Sequence, residues 1–210
     1  GIVRVQNVTS NSFQIRFQEW DYRDGRHTTE NMGYLVVEAG THTLTDGTQL
    51  VAGTTTLTNE STRTISFGDS FSGTPLVLAQ TMTNNDGAAV VERVRAITNS
   101  NFKIQFNEEE VADGVHATET VGYIAIDQGT AVSGDTTLNA VTTGNTVTHQ
   151  TSTVSFGNIG GATAPVILSD MQTRDGGDAA SLRHRSQTST SVTVWVEEEQ
   201  SKDSELNHTT

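Results

Sequence analysis

Cysteine is absent from this 210-residue chain and proline occurs only twice. Without cysteine the fold has no disulfide and no cysteine nucleophile. Hydrophobic residues make up only 33% of the chain and aromatic residues 6%, and no run approaches the roughly 20 apolar residues of a membrane-spanning helix. We therefore expect no membrane insertion. A composition this rich in threonine and glycine suits strands with one solvated face joined by many turns.

Basic residues are also scarce. The chain has 12 lysines and arginines against 25 aspartates and glutamates, which gives a formal net charge of −13. Binding to phosphate needs a basic face, so we expect no nucleic-acid partner. The same charge disfavours anionic membranes and heavily sulfated polymers. The composition as a whole favours an extracellular or cell-surface protein.

What the chain does contain is an internal repeat. Residues 13–38 match residues 102–127 without a gap, at a spacing of 89 residues, and the matched positions include a glycine, a histidine and a glutamate of one turn. The same segment recurs once more from Val192 and stops at Thr210, before the glutamate would follow. A unit of this length is a normal size for a β-sandwich with one core.

The repeat predicts three segments. Residues 1–40 are the C-terminal half of a unit, 41–129 a complete unit, and 130–210 a unit that lacks its last strand; we call them the first, second and third copies. We expect residues 33–38, or a neighbouring molecule, to complete the third copy, because a bare sandwich edge invites association.

Alternating apolar and polar residues predict strands throughout the repeat. In the second copy we expect six strands, at 54–57, 65–67, 75–80, 91–97, 102–106 and 122–126, and 164–173 is the third-copy counterpart of 75–80. The turn dipeptides Asp24-Gly25 and Asp113-Gly114 precede the last strand of their copies. The fold class is all-β: two tandem antiparallel six-stranded β-sandwiches with half-units at the chain ends.

The central hairpin of each copy carries a polar ladder. With a three-residue loop such as 10–12 or 99–101, in which asparagine takes the left-handed conformation, Arg95 would face Gln105 and Arg93 would face Asn107. Such planar donors and acceptors, together with an aromatic ring, suit sugar hydroxyls and the C–H face of a pyranose. The alternative is structural, since cross-strand pairs of this kind stabilise sheets without a ligand. The candidate carbohydrate-binding residues are Arg4, Trp20, Arg93, Arg95, Asn107, Glu109, Arg183, Arg185 and Trp195.

The strand order and the motifs ISF, PLVLAQ, RVRAITNSNFKIQF and GYIAI resemble the H-type lectin domain, the six-stranded sandwich of snail agglutinins and of one discoidin domain. The resemblance spans about 65 residues of each repeat. It implies trimers whose sugar sites lie near subunit edges, each with an arginine of the fourth strand and an aromatic residue just after the fifth. The matching arginines are Arg4, Arg93 and Arg183; the aromatic position holds Trp20, Glu109 and Glu199, so only the first copy keeps a ring.

The acidic end of the fifth strand raises the question of a metal. Glu108, Glu110, His116 and Glu119 could ligate Ca²⁺ or Zn²⁺, and the turns at 84–87 and 174–178 could hold Ca²⁺. Against this, the spacing follows no known metal loop, and three adjacent carboxylates are typical of a solvated rim. We expect no cofactor, with these residues as the only candidates.

No pattern in the chain predicts catalysis. The carboxylates lie together at an exposed strand end, with nothing apolar to raise one pKa, and neither a Ser-His-Asp order nor a phosphate loop is present. We expect a non-catalytic carbohydrate-binding module, lectin-like, within a larger secreted or surface bacterial protein, whose partner is a glycan or polysaccharide. The alternative is a stalk or adhesin repeat that spaces other domains and binds no small ligand.

Overall fold

The computed structural model describes residues 1–112, 114–161, 163, 165–204 and 206, and within these residues all regular structure is β-strand. The prediction of an all-β fold is confirmed. The strands are β1 Ile2–Gln6, β2 Gln14–Gln18, β3 Gly40–Thr43, β4 Gln49–Leu57, β5 Arg63–Ser66, β6 Leu76–Thr81, β7 Val90–Arg95, β8 Asn101–Glu108, β9 Glu119–Ile126, β10 Gly129–Ser133, β11 Thr136–Ala140, β12 Ser152–Ser155, β13 Ala180–Arg185 and β14 Ser191–Glu198.

The second copy forms two antiparallel sheets over one core. One sheet has the strand order β3-β4-β9-β6 and the other the order β5-β8-β7. Val51, Val77 and Val121 of the first sheet share a buried cluster with Phe102 and Ile104 of the second. Strict alternation along β8 places one row of apolar side chains inward, which is why this strand was predictable. The structure adds β3 to the six expected strands and extends the strand expected at 54–57 to the whole of β4.

The hairpin register differs from the predicted one by two residues. Arg93 lies opposite Gln105 and Arg95 opposite Lys103, where we expected Asn107 and Gln105. The loop is longer than three residues because Ala96 already leaves the strand, with a φ of 49°. Asn7 and Ser186, at the matching positions of the other copies, have φ values of 53° and 52°. A shift by two residues keeps every side chain on its face, since strands alternate with period two.

The third copy is less regular than the second. It forms the two-stranded sheet β10-β11 and the three-stranded sheet β12-β14-β13. The strand expected at 164–173 is absent from the described residues of that segment, and residues 33–38 form no strand either. In the second copy β6 pairs with β9, and the described residues of the third copy include no counterpart of β9 that could form this ladder.

Residues 33–38 nevertheless run where a last strand of the third copy would lie. A Cβ added to Gly33 would stand 2.7 Å from Val166 Cγ1, and Val37 packs against a buried cluster that includes Ala140 of β11. The segment is therefore placed between the two flanking elements without hydrogen-bonding as a strand. The turn glycines Gly25 and Gly114 both have positive φ, as the turn prediction requires; Asp113 lies outside the described residues.

Candidate functional site

Most of the predicted polar ladder is buried between copies, which corrects the expectation of an exposed sugar platform. Arg4, Trp20, Arg93, Asn107 and Glu109 are buried. Only four of the predicted residues keep accessible surface: Arg95, Arg183, Arg185 and Trp195. The physical reason is that the outer faces of the first and second hairpins pack against the copy that follows each of them in sequence, a contact that no single repeat reveals.

The two buried arginines show this packing most directly. Arg4 of the first copy is 1% exposed, and its Nη2 lies 3.3 Å from Glu119 Oε1 of the second copy. The same nitrogen donates to Asn84 Oδ1 at 3.1 Å. Arg93 is fully buried and donates to the carbonyl oxygen of Asp178 at 2.9 Å. Burial lowers the pKa of Arg93 to about 10, because desolvation disfavours the charged form.

The contacts between copies repeat along the chain. The backbone N–H of Asp21 donates to the Glu109 carboxylate, and the N–H of Glu110, the residue that matches Asp21, donates to Glu199 Oε2 at 2.8 Å. Each of these contacts joins one copy to the next. Glu109 and Glu199 therefore each accept a hydrogen bond that joins two successive copies. Burial raises the pKa of Glu109.

A second contact recurs in the same way. The Gln18 side-chain amide donates to the carbonyl of Gly87 at 2.9 Å, and the Asn107 amide donates to the carbonyl of Gly177 at 2.6 Å. Gln18 matches Asn107 and Gly87 matches Gly177 in the repeat. Two consecutive junctions are thus built with the same bonds between matching positions.

The third copy also touches the first, so the three hairpins meet around a common centre. One buried apolar cluster combines Ile2 and Trp20 of the first copy, Ala89 and Val91 of the second, and Ala179 of the third. The Arg183 guanidinium of the third copy lies 5.7 Å from the ring centre of Phe17. The arrangement of the three copies is therefore cyclic.

The contact between the third and first copies leaves a cleft of about 430 Å³. At this junction Trp20 occupies the position that Glu109 and Glu199 occupy at the other two junctions. Arg183 and Trp195, which pair across β13 and β14, form part of one wall. The lining residues are Gly1, Glu19, Trp20, Tyr22, Arg23, His27, His149, Arg183, Trp195, Val196, Glu197, Glu198, Gln200 and Leu206.

The cleft wall contains both buried and accessible polar groups. Among the described residues, the Trp20 indole N–H and His149 Nδ1 are buried atoms without a hydrogen-bond partner. Glu197 lies 3.6 Å from Arg183 Nη1, and His27 Nε2 lies 3.9 Å from Glu19. An unpaired buried donor costs free energy unless a ligand or water satisfies it. The partly exposed Arg183 and Glu197 are the charged groups of the wall that remain accessible to a ligand with hydroxyl or amide groups.

Three of the candidate metal residues, Glu108, His116 and Glu119, contact one another as hydrogen-bonded or ion-paired side chains. His116 Nδ1 lies 2.9 Å from Glu108 Oε1, and its Nε2 lies 3.5 Å from Glu119 Oε1. Glu119 also accepts the N–H of Asn85 at 2.8 Å. Glu108 and Glu110 line a smaller cavity of about 200 Å³ beside the third copy. Among the described residues no group of three or more histidine, cysteine or acidic side chains is arranged to hold a metal ion.

The turn at 84–87 is stabilised by its own aspartate. Asp86 accepts the N–H groups of Ala88 at 3.1 Å and of Ala117 at 3.0 Å. These backbone hydrogen bonds lower the pKa of Asp86. The side chain thus joins this turn to the one before β9, and its oxygens are engaged by protein donors.

Sequence reasoning missed much of the cleft wall, including Tyr22, Arg23, His27 and His149. These residues come from the first and third copies, more than 120 residues apart in the chain. No spacing within one repeat signals their approach. The one available signal was the aromatic residue at position 20, where the other copies have glutamate.

Comparison with known proteins gives one informative match. No protein-family profile matches the chain, and no solved structure matches it. The chain is 39% identical over 204 residues to Halomucin of Haloquadratum walsbyi. The match covers 95% of this chain but only 2% of that protein, so the chain spans a small part of its relative. This likeness supports a surface or extracellular protein. Among the described residues no helix is long and apolar enough to cross a membrane.

Proposed function

We propose that the chain is a non-catalytic glycan-binding module of a larger extracellular protein, with its binding site in the cleft between the third and first copies. The observation that carries this proposal is the composition of the cleft wall, which combines aromatic rings with charged and polar side chains. A partly enclosed cavity of about 430 Å³ lies within the range of small-ligand sites.

The wall residues supply the chemistry that a sugar needs. Trp195 and Tyr22 offer aromatic surface to the C–H face of a pyranose, and Arg183 and Glu197 offer charged donors and acceptors to its hydroxyls. Arg185 stacks over Trp195 at 5.4 Å, which holds the indole in place. Arg183 is also the arginine that the H-type lectin resemblance assigns to the third copy.

The likeness to Halomucin supports the wider context of this proposal. A chain that matches 2% of its relative fits a module that recurs or combines with others in a long protein. Several such modules on one molecule would add avidity to weak individual sites. The H-type lectin resemblance implies trimers, and we extend the proposal to homotrimers of such modules.

The proposal is tested on a glycan array with the intact chain. We expect binding to a restricted set of glycans, and a loss of at least tenfold with Arg183→Ala or Trp195→Ala. The matched control is Arg95→Ala. Arg95 lies in the second copy, at the position that Arg185 occupies in the third copy. Arg95 donates to Thr62 and Gln105 within its own copy and lies outside the cleft. Its removal should leave glycan binding unchanged.

Two further arms decide between explanations. Binding that survives EDTA is expected, since the cleft proposal needs no cation. Equal losses in Arg95→Ala and Arg183→Ala would show that general stability, and not the cleft, governs binding. If a folded sample bound none of the galactosides, uronates and other polysaccharides on the array, the glycan proposal would be overturned.

A second candidate function is a structural repeat that spaces other domains. The observation in its favour is that the Asp21–Glu109 hydrogen bond between the first and second copies recurs as Glu110–Glu199 between the second and third. A spacer needs such rigid junctions and no ligand. It predicts silence on the array together with a single cooperative unfolding transition, because its copies depend on one another.

A further inference from the structure

Three segments of the chain have the sequence Asn-x-Ser or Asn-x-Thr, and none of them has proline at the middle position. They are Asn7-Val8-Thr9, Asn59-Glu60-Ser61 and Asn207-His208-Thr209, of which the last lies outside the described residues. In an extracellular protein this sequence is the acceptor of N-linked glycans, provided that the asparagine lies at the surface. The likeness to Halomucin supports an extracellular protein. The structure distinguishes sharply between the two described segments.

Asn7 lies at the start of the loop that joins β1 to β2. Every residue from 7 to 12 is exposed. The same position is exposed in all three copies, since Ala96 of the complete second copy and Ser186 of the third copy are exposed as well. The accessibility of Asn7 is therefore a property of the repeat, whichever part of a unit the first copy contains.

The backbone of this loop does not require asparagine. Asn7 has a φ of 53°, and Ala96 and Ser186 adopt the same left-handed conformation with φ values of 49° and 52°. The Asn7 side-chain amide donates at 2.8 Å to Oε1 of Gln14, which is itself an exposed residue. The amide nitrogen thus lies at the surface, where an attached sugar would extend into solvent.

The hydrogen bonds of this loop stay within the hairpin. Thr9 Oγ1 accepts the N–H of Ser12 at 3.0 Å, and the Thr9 N–H donates to the carbonyl of Ser12 at 2.8 Å. Thr98 and Thr188 make the same two bonds in their own copies. Among the described residues, the side-chain hydrogen bonds of residues 7–12 reach no further than residue 14. The loop can therefore open and present Asn7 to an enzyme while the core stays folded.

Asn59 is held in the opposite way. Its side chain is partly buried, and its Oδ1 accepts the N–H of His116 at 2.9 Å. Its backbone N–H donates to the carbonyl of His116 at 3.2 Å. His116 is 1% exposed and its ring packs against Phe106. To present Asn59 to an enzyme, the chain would have to break contacts between two segments of the second copy that also hold a buried ring.

We propose that Asn7 is an acceptor site for an N-linked glycan, which an oligosaccharyltransferase transfers from a lipid-linked oligosaccharide. In this reaction Asn7 Nδ2 forms a bond to the anomeric carbon of the first sugar. The bond between that carbon and the phosphate oxygen of the lipid carrier breaks, and the amide nitrogen gives up one proton to water. No oxidant or reductant takes part. Asn7 is not among the residues that line the glycan-binding cleft, so the two proposals are independent.

The acceptor is tested with the folded, intact chain, an oligosaccharyltransferase and a lipid-linked oligosaccharide. The enzyme is one that modifies synthetic peptides of residues 1–15 and 53–65 equally well, so both sequences are known substrates. Peptide mapping by mass spectrometry then measures glycan occupancy at each asparagine. We expect Asn7 to be occupied, with at least tenfold lower occupancy at Asn59. A folded chain that is unmodified at Asn7, or occupied equally at Asn59, would overturn the proposal.

Variants of the loop identify the modified atom. Asn7→Ser introduces the residue that the third copy has at this position, so the loop should form and the modification should be lost. Thr9→Ser is the matched control, because it keeps both the acceptor sequence and the hydroxyl that closes the loop, and its modification should persist. Circular dichroism confirms that both variants are folded. A glycan that remains on residues 1–15 of Asn7→Ser would be attached elsewhere, and the assignment to Asn7 would fail. Binding on the glycan array is a separate readout, so each proposal can fail without the other.

Discussion

Arg4 and Glu119 form an ion pair at 3.3 Å in which both side chains are withdrawn from solvent. The pair joins the first copy to the second across 115 residues of chain. Glu119 begins β9 and also receives backbone N–H groups from the turn before β7. A single carboxylate therefore fixes one sandwich internally and attaches the neighbouring copy to it.

Removing one member of this pair should be strongly destabilising. Arg4→Ala leaves Glu119 buried without its cation, and loss of one partner of a buried pair costs about 3–5 kcal/mol. Arg183→Ala is the control, because it breaks a pair with Glu197 in which both side chains are partly exposed and which contributes about 1 kcal/mol or less. Urea unfolding of both variants measures the difference. Equal free energies of unfolding for the two variants would contradict the role assigned to Arg4.

Asp170 should make the stability of the protein fall as the pH rises. Burial raises the pKa of Asp170 to about 8, and the nearby carboxylate of Glu92 raises it further. The N–H of Ala79 donates a hydrogen bond to Asp170 and opposes this increase. Below the usual aspartate pKa of about 4 the group is protonated in both the folded and unfolded states. Between about pH 4 and 8 only the unfolded state releases the proton, so this contribution to stability declines, and above about 8 the decline ends.

Asp170→Asn removes this titration while keeping an oxygen that accepts from Ala79. We expect its melting temperature to rise relative to the unmodified chain as the pH increases from 4 to 8. The difference should then level off. Asp69→Asn, which removes an exposed carboxylate, is the control and should follow the unmodified chain at every pH. Parallel pH curves for Asp170→Asn and the unmodified chain would refute the assigned titration.

The left-handed residue of the hairpin loop offers a reciprocal test. Ala96 and Asn7 occupy matching positions with φ values of 49° and 53°, and asparagine tolerates this conformation better than alanine. Ala96→Asn should raise the free energy of unfolding by up to about 1 kcal/mol, and Asn7→Ala should lower it by a similar amount. Chemical denaturation checks both values. Shifts of the same sign in the two variants would show that contacts, and not backbone conformation, decide the effect.

Local sequence predicted the strands well where each strand had its partners. β7, β8 and β9 of the second copy lie where period-two alternation placed them. Residues 33–38 carry the same apolar pattern as the last part of β9 but form no strand. A strand needs a ladder partner as well as an apolar face, and the partner is a property of the surroundings. The register error at Arg93 arose similarly, since the loop begins at Ala96 with a backbone conformation that the residue type does not signal.

The sequence by itself determined the β class, the repeat of about 89 residues and the inward-facing rows of the hairpins, because these follow from periodicity along the chain. The tertiary structure alone decided which of the matching arginines are buried and which one is accessible. Arg4 and Arg93 are enclosed by the next copy, while Arg183 borders an open cleft. These residues occupy equivalent positions of the repeat. They differ in what packs against them from roughly 90 residues away, and burial, pairing and access to ligand depend on that packing.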